Sequence, residues 1–260
     1  NYGTFKIMGW QRTVTSIDQV MPAIQSLLSH LAAHPETAKT IALKLGRRFV
    51  EDVPSQQFIN DIASSYTSSG GDIKATLQAV YKHSDFKSAI GKKLKRPGED
   101  YISVARSLDV FPDFTRLQKW PGVTRGFDFP AIVANELKGM GHAPLSWPFP
   151  DGYPDVATHW VNASYQVVRW NVYRHFVLGN TWNPPSWETL LAVRETNLDK
   201  QIDQVSQLLL FKELGSADRI SVRNAITKAF GANPDLNNSY RDITVLIARL
   251  IFQLPVWSLR

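Results

Sequence analysis

Asp151 and Asp155 lie four residues apart, and His159 follows after four more. The surrounding stretch, Gly139 to Asn171, reads GMGHAPLSWPFPDGYPDVATHWVNASYQVVRWN and carries Trp147, Phe149, Tyr153 and Trp160. Two carboxylates beside aromatic rings are the equipment of glycoside hydrolysis, in which one acid protonates the leaving oxygen and the other acts as base or nucleophile. His159 adds a side chain of the type most often used for general acid–base catalysis. Each of these residues also has a structural reading. Asp151 before Gly152 fits an Asx-type turn, and Asp155 fits the cap of a following helix. The rings can stack on sugars or anchor a protein partner, and they can equally fill gaps between helices. Asp151, Asp155 and His159 are therefore the candidate catalytic residues, and Trp147, Tyr153, Trp160 and Arg169 the candidate binding residues. Arg169 lies on the helix that follows. A straight helix would put it roughly 20 Å from Asp155, so it reaches Asp151 only if the loop folds back.

Other chemistries find less support. There is no HExxH, GxSxG, Walker A or GxGxxG pattern. Of six histidines, His30 and His34 are four apart, but Pro35 breaks the helix between the two environments, so no metal site is expected. His34 reads as a helix-start residue, and Ser69-Gly70-Gly71-Asp72 as a helix stop followed by a cap. No cofactor is implied. The absence of cysteine excludes disulfides and thiolate metal sites, and is compatible with an oxidising compartment. Lys and Arg total 29 against 23 Asp and Glu, a net charge of +6, with the excess concentrated in Lys44–Arg48 and in GKKLKRPG around Lys92–Arg96. Such runs serve as solvated faces or meet an anionic partner such as an acidic glycan. Nucleic acid is the weaker partner, since no nucleic-acid motif accompanies the charge. No apolar run approaches the roughly 20 residues of a membrane-spanning helix.

The elements that must position these residues are helical. Residues 1–14, with Tyr2, Phe5, Ile7, Met8 and Trp10, read as an extended lead-in. Thr15 or Ser16 caps a helix with an apolar stripe of Ile17, Val20, Met21, Ile24, Leu27, Leu28 and Leu31. A second helix starts at Pro35 and buries Ala38, Ile41, Ala42, Leu45 and Phe49. A third carries Phe58, Ile59, Ile62, Ala63 and Tyr66, and a fourth, capped by Asp72, carries Ile73, Leu77 and Val80. Ser84-Asp85 opens a short continuation through Phe86 and Ile90. Further helices are predicted over Asp100–Leu108, Pro130–Lys138, from about Tyr153 or Asp155 to Leu178, and over Trp187–Thr196, Leu198–Leu214, Ala217–Phe230 and Ser239–Phe252. Asp109–Asp128 reads as irregular, Gly179-Asn180 as a helix terminator and Asn183-Pro184-Pro185-Ser186 as a turn. Trp182 and Trp187 add to the aromatics near loops. Strand signals are nearly absent. The predicted class is all-α, an irregular multi-helix bundle with one long proline- and aromatic-rich loop.

Two segments carry a family resemblance. HLAAHPETAKTIALKLGRRFVEDVP followed by TSSGGDIKATLQAVYKHSDF is similar to the core of the domain-of-unknown-function 1800 family. The matching positions are His34, Pro35, Thr37, Ala38, Lys44, Leu45, Phe49, Val50, Gly71, Asp72 and Phe86, while His83-Ser84-Asp85-Phe86 lacks the usual proline. Gly139-Met140-Gly141, Pro150-Asp151-Gly152-Tyr153-Pro154 and Trp160 resemble a later family segment, with Tyr153 in place of tryptophan, and Arg169-Trp170-Asn171 resembles its Arg-x-Asn. The likeness covers most of residues 20–175. It implies one helical domain over 1–260 that is the C-terminal part of a longer protein, with an N-terminal bundle at 1–98, an irregular segment at 99–152 and C-terminal helices at 153–260. It also implies an extracytoplasmic location, periplasmic or secreted, although no signal peptide stands at the start of this chain.

The resemblance names no reaction. The leading expectation is a non-enzymatic binding or assembly component of an exported or cell-surface system, with a protein partner or an anionic glycan as its ligand. One alternative is a hydrolase of an extracellular polymer working through Asp151, Asp155 or His159. Another is a basic helical protein that binds nucleic acid.

Overall fold

The structure is a computed structural model that describes residues 2–110, 129–178, 186–191 and 193–260, without the side chains of 129–132 and 188. The irregular stretch predicted at Asp109–Asp128 therefore lies almost wholly outside the described residues, as do Gly179-Asn180, Trp182 and Asn183-Pro184-Pro185. The fold is predominantly helical, as the periodicity implies. The chain divides into two compact units, Asn1–Lys93 and Leu94–Arg260.

The first unit opens with an antiparallel hairpin, β1 (Gly3–Ile7) and β2 (Trp10–Val14), in which Gly3 pairs with Val14 and Ile7 with Trp10. The extended lead-in is thus paired with itself: Met8 and Gly9 both adopt positive φ, which closes a two-residue turn. A short 3-10 turn, Ile17–Gln19, leads into α1 (Val20–Ala32). The apolar stripe of α1 is not a core stripe. Ile17, Met21, Ile24 and Leu28 are exposed, and Ala23 is its one buried residue. The hairpin covers only part of that face. Phe5, Ile7, Trp10, Val14, Val20, Ala23, Ile24 and Leu27 line an apolar groove there, and the Trp10 indole N–H donates to Ser26 Oγ at 3.0 Å.

The His-Pro helix forms as predicted. It is α2 (Pro35–Phe49), started by Pro35 and capped by His34, whose Nδ1 accepts the Glu36 amide at 3.2 Å. It packs against α3 (Gln56–Ser68), which Ser55 caps through the Phe58 amide. Gly70 at φ +67° then closes α3, with the Gly71 amide returning to the Tyr66 carbonyl. Asp72 caps α4 (Ile73–Lys82), and His83 caps the short α5 (Ser84–Lys87). Ala38, Ala42, Val50, Phe58, Ile62, Ala63, Tyr66, Val80 and Ala89 form this unit's core. Phe49 is half-buried beside it, edge-on to Tyr81, so the fully buried ring is Phe58. Ile90 is exposed.

The second unit contains α6 (Pro97–Ser107), α7 (Phe129–Gly139), α8 (Ala157–Trp160), α9 (Ala163–Leu178), α10 (Trp187–Leu190), α11 (Leu198–Leu210), α12 (Ser216–Phe230), α13 (Tyr240–Gln253) and α14 (Pro255–Ser258). Its core is built by α6, α9, α11 and α13, with Val104, Phe176, Ile202, Val205, Ile247, Ile251 and Phe252 among the residues most completely removed from water. Three predicted helices change shape. The long helix from Asp155 is broken at Val161-Asn162, because the Asn162 side chain accepts the amides of Ser164 and Tyr165 and starts α9 anew. The helix predicted over Trp187–Thr196 is a single turn. The one predicted to reach Leu214 ends at Phe211, which adopts a left-handed conformation.

Candidate functional site

All seven candidate residues lie in the second unit, on the segment between α7 and α9 and on α9 itself. That segment is anchored at its start. The Gly141 amide returns to the Lys138 carbonyl and the His142 amide to the Leu137 carbonyl, with Gly141 at φ +78°, so α7 ends in a Schellman turn. A Cβ on Gly141 would lie 2.6 Å from the Tyr165 ring, so only glycine fits.

Four prolines keep the next residues out of a helix, and side-chain bonds sew the loop onto itself. The Trp147 indole N–H donates to Asp151 Oδ1 at 2.9 Å, the Tyr153 hydroxyl to the Ala143 carbonyl at 2.8 Å, and the Trp160 indole N–H to the Pro154 carbonyl at 2.9 Å. The rings then pack together. Trp147 lies 4.9 Å from Tyr153 and 5.4 Å from His159 between centroids, and His159 lies 4.5 Å from Trp160. Beneath them His142 sits 4.7 Å from Tyr153 and 5.1 Å from Trp160. Trp160 is buried, whereas Phe149 is 62% exposed and Leu145 fully exposed at the loop tip. The loop thus has an aromatic interior and an apolar tip.

The candidate acid–base groups are divided among different partners. Asp151 is exposed and holds the Trp147 indole. Asp155 directly precedes Val156, the N-cap residue of α8. Asp155 is half-buried, with Oδ1 4.0 Å from Nε of Arg96. Arg169 meets neither of them, in contrast to the suggested Asp151 contact. It is 1% exposed, and its Nη1 lies 3.5 Å from Oδ2 of Asp100.

Asp100 is the centre of a buried polar group that the sequence reading did not single out. Its carboxylate accepts the Tyr173 hydroxyl on Oδ2 and the Trp257 indole N–H on Oδ1, the latter at 2.7 Å. The Lys95 ammonium lies 3.8 Å over the Trp257 ring and donates to the Trp257 carbonyl at 2.7 Å. Burial pushes the Asp100 carboxyl above its ordinary range, against the opposing pull of Tyr173, Arg169, Lys95 and Trp257. Burial also raises the Tyr173 phenol and lowers the Lys95 ammonium. One sequence signal was available: Asp100 stands on the same face as Pro97, Tyr101, Val104 and Leu108, a carboxylate within an apolar stripe.

The N-terminus of α6 joins this centre to the loop. The Gly98 amide donates to Nδ1 of His142 at 3.0 Å, which requires the ring proton on Nε2. Burial, and then the charge of Arg96, hold the His142 imidazole below its ordinary value. Glu99 accepts from Arg96 and from Arg260. No group of three or more metal-ligating side chains occurs among the described residues.

The model of the family described as protein of unknown function (DUF1800) matches residues 3–259, well beyond the segments that carried the resemblance. The chain belongs to that family. No curated protein and no solved structure matches it.

Proposed function

We propose that this DUF1800 chain is a binding component that docks a protein partner on the tip of its proline- and aromatic-rich loop. The observation that carries this reading is the division of the loop into a bonded interior and an apolar tip. Trp147, Tyr153 and Trp160 spend their polar atoms on the loop's own backbone or on Asp151, while Leu145 and Phe149 project into water. Exposed large side chains on a pre-ordered support lose little entropy on docking, which is the setting of interface anchors. Sugar stacking is less well served, because the Trp147 ring is half-buried among Phe149, Tyr153 and His159. A hydrolase is also less well served, since Asp151 and Asp155 have separate partners. The proposal includes the exported or cell-surface setting, which rests on the family resemblance alone.

The test is a photo-crosslinking amino acid at position 149 of the full chain in its source cells. One polypeptide should be captured, and excess wild-type protein should compete for it while a Leu145→Ser, Phe149→Ser double variant should not. Saturable glycan binding that survives the double variant and is lost in Trp147→Ala would replace this reading with a sugar-binding one.

A further inference from the structure

We infer that His142 is an acid-operated latch: its unprotonated Nδ1 fastens the loop to the N-terminus of α6, and a proton on that nitrogen releases it. The Gly98 amide belongs to the first turn of α6, where backbone N–H groups have no acceptor within the helix. His142, 44 residues away in the chain, supplies that acceptor at 3.0 Å. The approach is close, since a Cβ on Gly98 would lie 3.1 Å from the same nitrogen. The faces of the ring serve the loop. Tyr153 meets the imidazole edge-on and Trp160 lies tilted against it, so two of the loop's inner rings rest on the latch. The ring is half-buried, and a proton can reach it without unfolding the chain.

An imidazolium carries N–H on both nitrogens and accepts from neither. A proton on Nδ1 therefore sets two donors against each other, at the positive end of a helix. Burial opposes a charge on the ring most, and Arg96 at the N-cap of α6 next; Arg169 on α9 and His159 on α8 add to that, while Glu99 favours the charge. Arg96 is itself flanked by Glu99 and Asp155. The balance holds the imidazole below its ordinary value of 6.5. A released, solvated ring binds its proton more tightly than the latched one. The latch is therefore at full strength above 6.5 and weakens as pH falls below it. While the latched ring stays unprotonated, each pH unit below that value raises opening about tenfold. Opening withdraws the support under Tyr153 and Trp160 and loosens the tip. That acid thereby weakens docking rests on the reading of the tip given above; the latch itself does not.

The test follows two NMR signals in the full chain from about pH 7.5 to about pH 5. One is Nδ1 of nitrogen-15-labelled His142, which should be unprotonated at the upper end and titrate below 6.5. The other is solvent exchange of the Trp160 indole N–H, which is buried and donates to the Pro154 carbonyl. His142→Gln offers an amide oxygen to Gly98 and does not titrate. The ratio of wild-type to variant exchange should rise at least about tenfold across the range. Should the variant fail to fold, the fully buried Ile247 amide on α13 serves as the reference within the wild type. A ring that titrates at or above 6.5, an Nδ1 already protonated at the upper end, or a ratio indifferent to pH would overturn the latch. Crosslinking from position 149 over the same range reads docking separately. Capture should fall in acid in the wild type and hold in His142→Gln. Capture that persists while Trp160 exchanges freely would overturn the regulatory step, whereas no capture at any pH fails the docking reading and leaves the latch standing.

Discussion

Asp100 accepts two buried donors and faces the Arg169 cation, so its removal should be felt. Asp100→Ala leaves the Tyr173 hydroxyl and the Trp257 indole N–H without their acceptor, and Arg169 without the carboxylate it faces. Breaking a buried charge pair from one side typically costs about 3–5 kcal/mol, and urea unfolding should report a loss of that order. Asp100→Asn keeps one oxygen but turns an amide N–H toward either Tyr173 or Trp257, so a smaller loss is expected. The pH dependence separates the two chemistries. A carboxyl raised by burial binds its proton more tightly in the folded chain than in the unfolded one. Its stabilising contribution is therefore full below the ordinary value of 3.8 and is lost as pH rises through the folded value. The deficit of Asp100→Asn relative to wild type should be largest in acid and should shrink as pH rises. A deficit that grows with pH would show that Asp100 is held ionised. At this scale the sequence was only partly legible. Trp147, Tyr153, Trp160 and His159 do come together, because they lie close in the chain and prolines restrict the path between them. Asp100, Tyr173 and Trp257 are far apart in sequence, and no local spacing could bring them to one point.

Elements follow the sequence where a local rule acts alone. His34-Pro35, Ser55, Gly70 and Asp72 start or stop helices where their chemistry demands. Prediction failed where a non-local partner or a single side chain overrode periodicity, as on the uncovered face of α1 and at Asn162, which splits the long helix. Gly46 is a case in which helix propensity misleads. It sits inside α2, where alanine would ordinarily gain roughly 1 kcal/mol. Here an added Cβ would lie 2.5 Å from Pro54 and 2.8 Å from the Phe58 ring. The Pro54 contact is to a stiff ring and Phe58 is fully buried, so neither yields easily. Overpacking of this kind costs about 1–3 kcal/mol. Gly46→Ala should therefore lower the melting temperature, and Phe58→Ala in the same background should restore part of the lost helix packing, seen as a less-than-additive double-mutant cycle. An unchanged or raised melting temperature in Gly46→Ala would mean that the α2–α3 contact is looser than the structure has it.

At the scale of the whole chain, each unit holds a hydrophobic cluster of its own. One runs from Ala38 to Ala89 and the other from Tyr101 to Trp257. The second also contains the loop, the buried polar group and every candidate residue. Residues 94–260 fall within the ordinary size of a single folding domain. Their two ends are tied to one another, since the Lys95 amide donates to the Ser258 carbonyl at 2.8 Å and Leu94 bridges to Leu259. Trp257, 1% exposed, is locked by Asp100 and Lys95. A chain closed in this way should fold without the first unit. We expect a fragment of residues 94–260 to unfold cooperatively in urea and to keep the near-ultraviolet circular dichroism of fixed Trp257 and Tyr173 side chains. The same fragment carrying Asp100→Ala should lose that signal at a lower urea concentration. If the fragment keeps helical far-ultraviolet dichroism but shows no near-ultraviolet signal and no cooperative transition, it is a molten state. The buried polar group would then need residues 1–93 to form, and the second unit would not be a folding domain in its own right.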